Sequence, residues 1–90
     1  MKKQPYIEKI NERNEKLRTF TSNVNVEELK WHRDRENRLV EVIEGDNWFI
    51  QFDNELPKPL IPGKQYIIPE GVYHRVIKGD SKLKIKINVI

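Results

Sequence analysis

Gly63-Lys64-Gln65-Tyr66-Ile67-Ile68-Pro69-Glu70-Gly71-Val72-Tyr73-His74, GKQYIIPEGVYH, is the stretch on which the reading of this chain turns. A glycine opens a short apolar run, and a Pro-x-Gly corner closes it. Proline presets φ and glycine tolerates positive φ, which is what a sharp reversal requires. His74 follows at the head of another strand-like run, YHRVIKG. Two readings of His74 stand side by side here. It is either a metal ligand or a polar residue at a barrel mouth, hydrogen-bonded to backbone.

The pattern of short strands extends in both directions from the corner. NVEELKWH, RLVEVIEG, NWFIQF, KQYIIP, YHRVIKG and KLKIKINVI read as strands, separated by EGDN, DNELPKPLIPG, PEG and KGDSK. GDN between two apolar runs signals a tight hairpin. In the last strand Leu83, Ile85, Ile87 and Val89 alternate with Lys84, Lys86 and Asn88, so one face is apolar and the other wet. Pro5 to about Phe20 reads instead as one helix. Pro5 suits a first turn, and Ile7, Ile10, Leu17 and Phe20 could share a stripe. The expected organisation is a helix over residues 1–22 and a single all-β barrel domain over 23–90.

Composition narrows the function classes. The chain has 90 residues and no cysteine, which excludes thiolate metal sites, cysteine nucleophiles and disulfide staples. A core this small favours association, so a homodimer is expected, through Leu29 and Trp31 on the side of their strand opposite His32. No apolar run approaches the ~18 residues of a membrane span, and MKKQPYIEKINERNEK lacks the apolar core of a signal peptide. No membrane association and a cytoplasmic location are therefore expected. The net charge of +3 arises from basic residues interspersed with acidic ones, which argues against a nucleic-acid partner.

Gly63, Pro69, Gly71 and His74 occupy every defined position of the second signature of the cupin family, G-x5-P-x-G-x2-H. Upstream, WHRDRENRLVEVIEG keeps the frame of the family's first signature, with His32, Asp34, Arg38 and Gly45 at its marked positions. From about Val26 onward the chain thus resembles a small single-domain cupin. The resemblance implies an all-β fold, a double-stranded β-helix or jelly-roll barrel, with a divalent metal in its pocket. Three histidines and a glutamate usually hold that metal. Here the set would be His32, Asp34 and His74, two imidazoles and a carboxylate, which suit Fe, Mn, Ni or Zn and leave open positions. Residues two apart on a strand face the same side, so His32 and Asp34 project together.

Arg38 stands where the family places its carboxylate ligand. A guanidinium stays protonated and has no lone pair to donate. It either pairs with Asp34, leaving two histidines, or holds an anionic ligand beside the metal. The spacing HRD…H is also similar to that of 2-oxoglutarate oxygenases, with Lys84 at the offset of their cosubstrate residue, but the alternation of the last strand turns Lys84 outward. Three functions follow. The first is a pocket for a small anionic molecule, through a divalent metal. The second is a metal-dependent dioxygenase or isomerase using His32, Asp34 and His74. The third is a non-catalytic interaction scaffold. Between binding and catalysis the sequence does not decide.

Overall fold

The structure is a computed structural model and describes residues 4–90. Eight strands form two antiparallel sheets: β1 (Ile7–Ile10), β2 (Lys16–Phe20), β3 (Arg38–Glu44), β4 (Phe49–Phe52), β5 (Lys58–Pro59), β6 (Gln65–Ile68), β7 (His74–Ile77) and β8 (Leu83–Val89). The larger sheet runs β1-β2-β8-β3-β6 and the smaller runs β5-β4-β7. Between the facing sheets lies one core, including Phe20, Val42, Trp48, Ile50, Leu83 and Ile85. The all-β barrel expected from the sequence is what the chain forms. Among the described residues no helix is long and apolar enough to cross a membrane.

β8 is the spine of the larger sheet, pairing with β2 on one side and β3 on the other. Its alternation is used as read: Leu83, Ile85 and Ile87 are buried. Lys86 on the opposite face meets Glu15 at 3.5 Å and Glu41 at 3.3 Å. Lys84 shares that outer parity, away from the barrel interior.

The N-terminal helix is not there. Pro5 to Phe20 instead contains the hairpin β1–β2, and β2 pairs with β8, so the segment is built into the larger sheet. The turn chemistry explains it. Asn11 Oδ1 accepts from the backbone N–H of Arg13 at 2.9 Å and of Glu15 at 3.0 Å, and Asn14 takes the left-handed conformation, φ 63°. Asparagine does both more readily than other non-glycine residues. The supposed apolar stripe does not exist as a face either, since Phe20 is buried while Ile7 and Ile10 are exposed.

Two smaller expectations also change. GDN does not make a hairpin. It carries the chain from β3 in one sheet to β4 in the other. The segment and the residue after it are tied to the loop before β8: Asp46 N–H donates to Ser81 Oγ, 2.9 Å, and Trp48 Nε1–H to Ser81 O, 2.7 Å. Gly79 lies so close to the Asp46 carbonyl and the Trp48 ring that no Cβ would fit. NVEELKWH is not a strand but contains a 3-10 turn, Val26–Glu28, capped by Asn25. The turn rotates Leu29 toward the core, where it packs and lines the interior cavity. Of the two residues expected to face outward, only Trp31 does, at 43% exposure.

Because Leu83 is fully enclosed, Leu83→Ala is expected to cost about 2–5 kcal/mol, while Leu56→Ala at an exposed loop position should stay within about 0.5 kcal/mol. Urea unfolding of both variants checks the contrast.

Candidate metal and ligand site

The site is assembled by backbone before any side chain acts. His32 and His74 form an isolated antiparallel pair, exchanging N–H···O bonds of 3.0 and 2.8 Å. One turn earlier, Gly71 N–H donates to Asp34 O at 3.0 Å, and Glu70 N–H to Asn37 Oδ1 at 2.8 Å. The Pro69-Glu70-Gly71 corner is thereby clamped onto residues 34–37. Gly71 has φ 78°, a conformation that L side chains rarely adopt. On its other side β7 pairs with β4, placing Phe52 opposite His74.

Within this frame His32, Asp34, Arg38 and His74 all line one interior cavity of about 350 Å3. One ligand atom from each of His32, Asp34 and His74 lies within 4.8 Å of the others. His74 Nε2 is 3.5 Å from Asp34 Oδ2, and His32 Nε2 is 4.0 Å from Asp34 Oδ1. Their exposure grades inward. The side chain of His32 is 48% exposed, that of Asp34 7% and that of His74 3%. His74 is therefore the floor of the site and His32 its mouth, the reverse of the barrel-mouth reading of His74.

The imidazoles are oriented by their other nitrogens. His74 Nδ1 lies 3.0 Å from Val72 O, and His32 Nδ1 lies 3.0 Å from Lys30 O. A carbonyl can only accept, so each Nδ1 carries a proton, and a ring in its neutral form presents the Nε2 lone pair to the cavity. Burial holds the His74 pKa below the usual imidazole value, and the positive charges of His32 and Arg38 push the same way. The Val72 carbonyl and the Asp34 carboxylate only partly oppose this. A neutral His74 faces Asp34 Oδ2 acceptor to acceptor. That oxygen is buried and has no hydrogen-bond partner among the described residues.

Arg38 does not close the site. Its Nε and Nη2 donate to Glu36 Oε1 at 3.0 and 2.8 Å. Only Nη1 approaches Asp34, at 3.4 Å from Oδ1. The Asp34–Arg38 pair therefore forms, yet it leaves Oδ2 unengaged. Two imidazole nitrogens and a carboxylate with a buried unengaged oxygen are a donor set that fits a first-row divalent metal, which His32, Asp34 and His74 would hold.

One residue of the cavity wall was hidden by the helix reading. Arg18 on β2 lines the cavity alongside Phe20. A period of two through Lys16-Leu17-Arg18-Thr19-Phe20 puts Arg18 and Phe20 on one side, and this was the available signal. The rest of the wall is apolar, including Val40, Ile50, Ile68, Ile85 and Ile87.

No protein-family model matches the chain, and no curated protein does. Solved structures share its fold. A cupin domain from Bordetella pertussis Tohama I superposes with a TM-score of 0.66 at 21% identity, over 100% of this chain and 98% of that one. A cupin-like protein from Thermotoga maritima MSB8 gives 0.66 at 17% identity, over 92% of this chain and 65% of that one. HppE with Co(II), in complex with Tris buffer, gives 0.72 at 18% identity, over 100% of this chain and 56% of that protein.

The lowered His74 pKa has a defined consequence for the metal-free protein. The folded state binds this proton less readily than the unfolded state, so the associated stability is present above the ordinary imidazole pKa. It is lost as pH falls from there through the lower folded value. Urea midpoints measured from neutral to mildly acid pH should fall for wild type and fall less steeply for His74→Gln.

Proposed function

We propose that this cupin-type domain binds a small organic anion in its interior cavity, through a divalent metal that His32, Asp34 and His74 would hold. The observation that carries the reading is the buried Asp34 Oδ2, unpartnered and facing the lone pair of His74 Nε2. Leaving such an acceptor unsatisfied costs roughly 1–3 kcal/mol, and a metal ion would remove that cost. When bound, the ion supplies Lewis acidity and open coordination positions for a ligand. Two nitrogens and a carboxylate suit Fe, Mn, Ni or Zn alike.

The chain's own residues do the rest. Arg38, only 14% exposed in its side chain and steadied by Glu36, offers Nη1 beside the site, where a ligand carboxylate could replace Asp34 as its partner. The apolar walls contributed by β3, β6 and β8 exclude water from the ligand's carbon skeleton. His32 at the mouth is the group that an entering ion or ligand meets first.

Catalysis as a dioxygenase or isomerase is the second reading. It is supported by the fold shared with HppE, which has been solved as Fe(II)-HppE with the alternative substrate (S)-1-HPP. A scaffold without metal is the third, supported by the Arg38–Asp34 pair. The proposal also includes a homodimer in the cytoplasm. Its interface would be the outer face of the smaller sheet, where Trp31 stacks with Arg75 at 5.0 Å and Tyr73 with Arg33 at 5.3 Å.

Two measurements test this. Elemental analysis and calorimetric titration with Fe(II), Mn(II), Ni(II) and Zn(II) should show binding to wild type, loss in His74→Ala and tighter binding in Arg38→Glu. At an effective dielectric of ~20, removing a fixed positive charge a few Å from a divalent ion is worth on the order of several kcal/mol. Wild type and Arg38→Glu both staying metal-free would leave the scaffold reading. Light scattering at micromolar concentration should give twice 10.8 kDa, falling to the single-chain mass in a Trp31→Ala, Tyr73→Ala double variant.

A further inference from the structure

We infer that the cavity has a second anion-binding pole at Arg18, and that its ligand is an elongated aliphatic molecule with a carboxylate at each end. This rests on the reading of the cavity as a ligand site and adds to it the ligand's shape and charge. The first pole is the His32–Asp34–His74 set with Arg38 beside it. The second stands on a different strand and was not expected there.

Arg18 is held as a recognition group is held. Its Nε and Nη2 donate to one oxygen of Glu8, at 2.9 and 2.7 Å. Its guanidinium carbon stacks 3.8 Å from the centroid of the Tyr6 ring. These contacts fix the plane of the fork while leaving Nη1 without a hydrogen-bond partner among the described residues. The side chain is only 11% exposed and lines the cavity, so a cavity ligand can reach its unused donor capacity. Stability does not call for this arrangement. A buried ion pair on an apolar wall is seldom more stable than an aliphatic residue of similar volume, and the neighbouring inward positions are Phe20, Ile85 and Ile87.

The two arginines enter the cavity from well-separated backbone positions. Arg18 pairs with Ile85 and Arg38 with Val89, four positions apart along β8 and on strands either side of it. At ordinary strand spacings this puts their Cα atoms about 16 Å apart. The inner face of β8 between them presents Ile85 and Ile87. A carboxylate oxygen can accept from the Nη1 that Glu8 and Glu36 leave unused on each arginine, and a methylene chain matches the wall between. A monoacid would use one pole only.

The test is calorimetric titration of the metal-loaded protein with diacids from succinate through suberate. Each diacid is set against the monoacid of the same chain length, which serves as the internal reference for the first pole. One diacid length should bind about tenfold or more tightly than its monoacid, the gain expected of one charge-assisted contact. Arg18→Gln should abolish that ratio, while retained metal content shows that the first pole is intact. Glu8→Gln removes the competing carboxylate and should raise the ratio, which decides the matter if Arg18→Gln fails to fold. A ratio near one at every length, or a preference that survives Arg18→Gln and ignores Glu8→Gln, overturns the second pole. Monoacid binding without a diacid preference would refute Arg18 alone and leave the proposed function standing. Failure of wild type to take either acid or metal would overturn both.

Discussion

Three backbone hydrogen bonds carry this molecule's chemistry: the two exchanged by His32 and His74, and the one from Gly71 to Asp34. They join segments far apart in the sequence and fix their register. In a pleated backbone a slip of one residue would turn His32 and Asp34 out of the cavity together. Gly71 makes the pairing achievable, because the corner needs its positive φ to bring the amide under the Asp34 carbonyl. The pairing of β7 with β4 holds His74 from the opposite side. With the backbone of His74 held from both sides, the direction of its ring is set by strand geometry and by its bond to Val72 before any ligand arrives.

The interior is stabilised and destabilised in the same few ångströms. The core around Trp48, Leu83 and Val42 is closed. Beside it, Asp34 Oδ2 is buried without a hydrogen-bond partner among the described residues, with His74 Nε2 3.5 Å away and His32 Nε2 4.0 Å from the other carboxylate oxygen. Local rules of polar satisfaction are broken here and kept elsewhere, which is the pattern expected where a fold spends stability on a site. The surrounding contacts hold the conflict in place instead of relieving it: Val72 and Lys30 accept from the rings, while Arg38 is directed chiefly to Glu36.

The legible parts of the sequence were those with a strict local signature. Strands β3, β4, β6, β7 and β8 were readable from alternation and bounding turns, and the gathering of His32, Asp34, Arg38 and His74 from motif spacing. The N-terminal segment was not. Its apolar residues Ile7, Ile10, Leu17 and Phe20 are spaced 3, 7 and 3 apart, which fits a helical stripe and no alternation. The deciding facts were the turn made by Asn11 and Asn14 and the pairing of β2 with β8. That misreading concealed Arg18, whose inward direction exists only in strand geometry. The 3-10 turn at Val26–Glu28 was invisible for a similar reason, and with it the inward turn of Leu29. The unequal burial of the two histidines depends on what packs over each, which no local pattern encodes.

Each inward arginine has its own glutamate, Glu8 for Arg18 and Glu36 for Arg38, and Asp34 adds a further carboxylate. Two positive and three negative groups leave these residues one negative charge, inside a chain whose overall charge is +3. The metal-free cavity therefore exerts no long-range pull on an anion, and its field fades within a Debye length of about 8–10 Å at ordinary salt. A divalent ion would change the balance from one negative to one positive. Cation and anion would then load in a definite order, with the first arrival reversing the sign that the second one meets.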